Sequence, residues 1–195
     1  MNHTLRDELL KLEKHDRAVR AELAADGSLF DGYHPRMAAV HRAHAARLRQ
    51  IISELGWPGE AMVGQDGAKV AWLIAQHSIG EPDFMRQCRS LLDEASARGE
   101  VPRWHFALMD DRIRVFEGRP QRYGSQFRCG PDGLEPYPLE DPTRVDQWRQ
   151  ELGLPPLSEI LARSRANPPP PPRDLAAQEA QEQAWRRETG WIPRS

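Results

Sequence analysis

Trp104-His-Phe-Ala-Leu-Met-Asp-Asp-Arg-Ile-Arg-Val-Phe-Glu-Gly-Arg-Pro-Gln-Arg-Tyr-Gly-Ser-Gln-Phe127 carries the two signals that decide the fold, a helical period and a stop. Trp104, Leu108, Asp111 and Val115 recur at the spacing of one helix face. Gly118 suits the helix end and Pro120 bars continuation. Gln121, Tyr123, Gly124, Ser125 and Gln126 then fall on an exit turn that leads into an extended segment. Asp111 is the anomaly. It stands on the apolar stripe, where a carboxylate is costly unless it is paired, hydrogen-bonded or bound to a ligand.

Working toward the amino terminus, the same pattern recurs. Residues 4–25 carry Leu5, Leu9, Leu12, Val19 and Leu23 on one stripe, interrupted by Asp16, and Arg20 one turn later is placed for an Asp16–Arg20 pair. Ser28 to Pro35 reads as a loop whose aromatics cover a core or a cleft. Residues 36–55 form a second helix on Met37, Val40, Leu48, Ile51 and Leu55, interrupted by His44; His41 lies one turn before it, with no acidic metal-binding motif around the pair. After Gly56-Trp57-Pro58-Gly59 and a loop to Gly67, a short helix places Val70, Leu73, Ile74 and His77 on one face. A fourth helix, 82–98, turns Phe84, Cys88, Leu91, Leu92 and Ala95 inward, with Cys88 a core residue and not a nucleophile.

Toward the carboxyl terminus, Gly130-Pro131-Asp132-Gly133 between two short runs predicts a hairpin near 121–139. A short helix with Trp148 follows, then another ending near Arg165. The prolines of 167–172 read as a stiff linker, and 173–195 as a polar helical tail whose Trp185 and Trp191 suit docking on the main domain or on a protein partner. The expected architecture is mostly α: one bundle-like domain of about six helices over 1–166 with a short β hairpin, then the Pro-linked helical tail.

Lys and Arg number 27 against 29 Asp and Glu, a formal charge of −2, so the basic excess of a general nucleic-acid binder is missing. Arg112, Arg114, Arg119, Arg122 and Arg128 make a local basic stretch that suits an anionic ligand or, beside Glu117, a solvated face. Cys88 and Cys129 have no zinc spacing and make no disulfide framework, which fits a reducing compartment. With no apolar signal core and no run of membrane-span length, the expectation is a cytoplasmic protein without a membrane role.

Four helices therefore each place one ionisable residue on an apolar stripe: Asp16, His44, His77 and Asp111. Flanked by Arg20 and Arg112, they predict a polar cluster inside the bundle or at its mouth. In the catalytic reading, His77 is general base or acid oriented by Asp111 or Asp16. Arg20 and Arg112 hold an anionic group, while Gln121, Tyr123 and Gln126 hydrogen-bond a small-molecule or peptide substrate, as in a hydrolase. A metal-dependent version binds a divalent transition ion such as zinc, iron or manganese through His77, Asp16 and Asp111, with His44 as a further ligand and the arginines opposing it. The non-catalytic alternative makes the cluster structural and the Gln121–Gln126 turn a peptide- or protein-binding edge.

Asp16-Arg17-x-x-Arg20, Gly56-Trp57-Pro58, Val63-Gly64, Trp72-Leu73-Ile74-x-Gln76-His77, Asp111-Arg112-Ile113 and Gln121-x-Tyr123-Gly124-Ser125-Gln126 together resemble the bacterial family known as domain of unknown function 6624, in order from about Leu5 to Leu161. The resemblance implies no activity. It marks Asp16, Arg20, His77, Asp111, Arg112, Gln121, Tyr123 and Gln126 as motif positions. It also weighs against a catalytic or ligand role for His44, where the family more often has Asn; at Ser125 the usual Thr keeps the hydroxyl.

Overall fold

The amino-terminal stripe folds into α1 (His3–Ala25), whose first turn is capped by Asn2, its Oδ1 accepting from Leu5 N at 3.0 Å. In this computed structural model, which describes residues 1–30, 32–130, 133–166 and 174–193, α1 buries Leu5, Leu9, Asp16, Val19 and Leu23. A one-turn helix, Ser28–Phe30, leads to α2 (Pro35–Leu55), which Pro35 opens and Gly56 ends at φ 80°. α3 (Glu60–His77) begins seven residues before Gly67, where the sequence reads as loop, and joins two helical segments across Gly64, whose φ 73° and ψ 168° are not helical. Only glycine takes that backbone without strain, and a Cβ there would lie 3.3 Å from Met1 Sδ.

α4 (Pro82–Ala97), α5 (Arg103–Phe116), the strands β1 (Phe127–Gly130) and β2 (Gly133–Pro136), and then α6 (Val145–Glu151), α7 (Leu157–Ala166) and α8 (Leu175–Thr189) complete the described chain. The fold is mostly α with one antiparallel hairpin, registered Phe127↔Pro136 through Gly130↔Gly133. Eight α-helices are described, seven of them before residue 167 where about six are expected. On α5 the stripe needs correcting: Trp104 and Leu108 are half-buried, whereas His105, Ala107, Met109, Asp111, Ile113 and Val115 are buried, so the helix is covered on more than one face. No described helix is long and apolar enough to cross a membrane.

The chain divides into two compact units, Met1–His105 and Phe106–Ser195. In the first, α1 packs on α2 and α3, and α3 packs on α2 and α4. Leu9, Leu23, Met37, Leu48, Ile51, Val63, Met85 and Leu92 are its large fully buried side chains. Trp72 Nε1 donates to His105 O at 2.9 Å, and the two rings stack 4.7 Å apart.

In the second unit Phe116 packs on Trp191 at 5.0 Å and on Trp185 at 5.4 Å, while Tyr137 Oη donates to Glu182. The tail tryptophans expected to dock thus pack on Phe116 of their own unit. The linker at 167–172 lies outside the described residues, as do Pro131 and Asp132 of the hairpin turn.

Candidate functional site

Three helices of the first unit bring one titratable residue each to a common point. Asp16 interrupts the buried face of α1, and with 8 % of its surface exposed it cannot rely on water to stabilise its charge. His41 occupies the buried face of α2, four residues after Met37 and seven before Leu48. His77 is the last residue of α3, one turn after Leu73 and Ile74, where the carbonyl end of the helix favours positive charge.

Asp16 Oδ2 lies 3.0 Å from His41 Nε2 and 3.4 Å from His77 Nδ1, and the two imidazole centroids are 5.0 Å apart. Burial pushes the Asp16 carboxyl up, but contact with His41 and His77 outweighs it and holds the group well below the usual carboxylate range. Asp16 is therefore ionised at neutral pH.

Beyond His41, the Tyr33 hydroxyl meets Nδ1 at 2.8 Å, and burial pushes the phenol above its ordinary range, so its proton stays in place. His44, one turn after His41, lies 3.3 Å from His15 across α1 and α2. Burial, aided by His15, pushes His44 down to about 4, leaving it neutral. A cavity of about 220 Å³ opens over the cluster, lined by Asp16, Arg17, Arg20, His41, His44 and His77 among others. His41 is 95 % buried, whereas the His77 side chain keeps 27 % exposure, so the centre has a closed end and an open one.

The expected Asp16–Arg20 pair does not form: Asp16 turns to the imidazoles, and Arg20 lines the cavity, exposed, with no ion pair to a described residue. Arg17 is held by Glu13 at 2.7 Å. Of the residues nominated from sequence, Asp16, His77, His44 and Arg20 meet at this cavity.

The rest belong to the second unit and form a different construction. Asp111, fully buried, accepts from the backbone amides of Arg122 at 2.8 Å, Tyr123 at 3.0 Å and Ser125 at 3.0 Å. Burial pushes its carboxyl up against the pull of those amides. Gln121, also fully buried, donates to the carbonyls of Gln126 and Tyr137 and accepts from Gln126 N. Arg112 Nε donates to Gln126 Oε1 at 3.0 Å, and Arg149 donates to the Tyr123 carbonyl at 2.7 Å. Gly124 completes the turn at φ 62°, its Cα packed where a Cβ would meet Leu157 at 3.2 Å.

His41 and Tyr33 are the residues that periodicity did not single out. The signal for His41 is its spacing from Met37, equal to that between His44 and Leu48, which puts it on the same inward face. For Tyr33 it is its place in the aromatic loop just before that helix.

The sequence profile of a family of unknown function, DUF6624, matches residues 3–165. The chain belongs to that family. The DUF6624 region thus takes in the Asp16–His41–His77 cluster and the Asp111 turn, and leaves α8 outside it. Among curated proteins and solved structures, none matches the chain.

Proposed function

We propose that this DUF6624 protein is a hydrolytic enzyme that activates water at Asp16, His41 and His77 and acts on a small molecule bearing an anionic group. The observation that carries the reading is one ionised, buried carboxylate shared by two imidazoles from other helices, lining a cavity to which the partly exposed His77 opens. A carboxylate so placed fixes imidazole orientation and raises basicity, which suits proton removal from water near neutral pH. Arg20 supplies a forked donor on the cavity wall for a carboxylate or phosphate. In this reading Asp111, Arg112, Gln121, Tyr123 and Gln126 build a turn and do not touch substrate.

The experiment is a screen of the purified protein against chromogenic phosphate esters, carboxylic esters and amides, with Asp16→Asn and His77→Asn as controls. One class should be turned over, with the rate falling by about a hundredfold or more in each variant. His77→Asn should keep its melting temperature. Turnover indifferent to both substitutions would defeat the proposal.

A binding-module reading has one observation of its own. The second unit holds a cavity of about 480 Å³ lined by Arg128, Tyr137, Glu179, Glu182 and Arg186 among others. Those groups are already bonded to one another, Tyr137 to Glu182 and Arg128 to Glu179, which leaves the cavity less to offer a peptide than the first.

A further inference from the structure

We infer that Asp16, His41 and His77 are the protein ligands of a single divalent transition-metal ion of zinc-like preference. The ion's role in activating water rests on the hydrolytic reading above; its binding does not.

Two of the three donor separations, those from Asp16 Oδ2 to the two imidazole nitrogens, are the ones an ion requires. All three donor atoms lie within 4.8 Å of one another, with Oδ2 3.0 Å from one imidazole nitrogen and 3.4 Å from the other. Metal–ligand bonds of about 2.0–2.1 Å at tetrahedral or octahedral angles place neighbouring donors roughly 3.0–3.4 Å apart. Two imidazoles and one carboxylate suit zinc and its neighbours and leave further positions for water, which the cavity over the cluster can supply.

His41 carries the second, independent observation. Its Nε2 is buried and 3.0 Å from the Asp16 carboxylate, yet among the described residues it meets no acceptor in hydrogen-bond alignment. The nitrogen is close enough for attraction and out of line for a proton. Its other nitrogen, Nδ1, is 2.8 Å from the Tyr33 hydroxyl. With Nδ1–H donating to Tyr33, the Nε2 lone pair and Asp16 Oδ2 face each other at 3.0 Å with no proton between them, an arrangement that repels unless a cation lies there. A ligating histidine held at its other nitrogen by an outer hydrogen-bond partner is the usual arrangement at metal centres. In the other tautomer Tyr33 donates, and Nε2–H faces Asp16 off the line.

The surrounding charge permits a cation. Glu13 neutralises Arg17, and the carbonyl end of α3 lies at His77, so Arg20 alone opposes the ion from the cavity wall. With an ion in place, Arg20 becomes the second cationic group toward an anionic substrate.

The test is titration of the chelator-stripped full chain with Co²⁺, read by its visible absorption, and with Zn²⁺ by calorimetry. One ion per chain should bind. Asp16→Asn and His77→Gln should each weaken it at least about tenfold and Tyr33→Phe by about ten- to a hundredfold, while His15→Gln leaves it unchanged. His77→Gln, partly exposed at a helix end, is the variant least exposed to misfolding, and circular dichroism checks each fold. No saturable one-to-one uptake by the wild type, or uptake unaltered in Asp16→Asn and His77→Gln, overturns the inference. The two proposals separate cleanly. Turnover that survives chelation and depends on His77 removes the ion and keeps the hydrolytic centre; uptake lost in the variants without turnover of any substrate class keeps the ion and removes the hydrolysis.

Discussion

Asp16 and Asp111 present the same anomaly in sequence, a carboxylate on an apolar helix stripe, and each unit of the molecule answers it differently. Asp111 is met by backbone amides of the turn that begins within one loop of its own helix. Asp16 has no such turn nearby and is met by imidazoles from α2 and α3. Their carboxyls move in opposite directions, Asp111 upward because burial dominates and Asp16 downward because the histidines outweigh burial. A backbone amide does not titrate and an imidazole does. The difference therefore separates a carboxylate held by donors of fixed charge from one held by groups that gain and lose protons.

Asp111→Ala should give the largest stability loss in the molecule. It leaves the amides of Arg122, Tyr123 and Ser125 without their acceptor, each buried unsatisfied donor costing about 1–3 kcal/mol, for a total of about 3–5 kcal/mol after relaxation. Urea denaturation measures it. Asp16→Asn should lose far less stability, because Asn keeps one oxygen toward the imidazoles, while metal uptake and turnover fall away. Were the two losses equal, the contrast between the two carboxylates would fail.

Periodicity reads α1, α2 and α4 to within a residue or two because each has a one-sided apolar face and a clear cap or stop, Asn2, Pro35 with Gly56, and Pro82. It also locates Asp16 and His77, since both interrupt or end such a face. It misses His41 because the buried side of α2 is broad, taking in Val40, His41, His44 and Ala45 together, so a stripe drawn through Val40 and His44 passes beside it. It reads the stretch before Gly67 as loop because the helical segment ahead of the Gly64 kink is only about one turn long, too short for a period to show. Periodicity also does not show that Asp111 takes its partners from the amides of its own turn, for a related reason. Stripe position reports burial, and burial alone does not say whether amides or side chains supply the partners.

The pH dependence of stability sharpens the contrast on the histidine side. Burial pushes His44 and His105 down to about 4. The unfolded chain binds protons at these sites from about pH 6.5 downward while the folded chain does not, so the stability held above pH 6.5 is lost as pH falls toward 4. The slope approaches about 1.4 kcal/mol per pH unit for each histidine. Asp16, whose carboxyl is depressed, contributes stability above its unfolded value near about 4 that is lost only at still lower pH. Urea midpoints at pH 7 and pH 4.5 should show the loss, and His105→Phe, which keeps the stack on Trp72, should reduce it by about half. A midpoint that does not move between those pH values would mean that neither ring is buried neutral.

The smallest stability effects come from the two arginines that the motifs pair with the two carboxylates. Arg112→Ala removes the bond from its Nε to Gln126 inside the turn and should cost about 1 kcal/mol, with no change in metal uptake. Arg20→Ala removes an exposed side chain that makes no ion pair with a described residue, so stability should stay within about 0.5 kcal/mol of wild type. Its effect should appear in kinetics. If Arg20 holds the anionic group of the substrate equally before and during reaction, KM rises while kcat holds, because only uniform binding has been removed. A loss in kcat instead would place Arg20 against charge that develops in the transition state, and an arginine that changes neither would leave the cavity wall without a role in recognition.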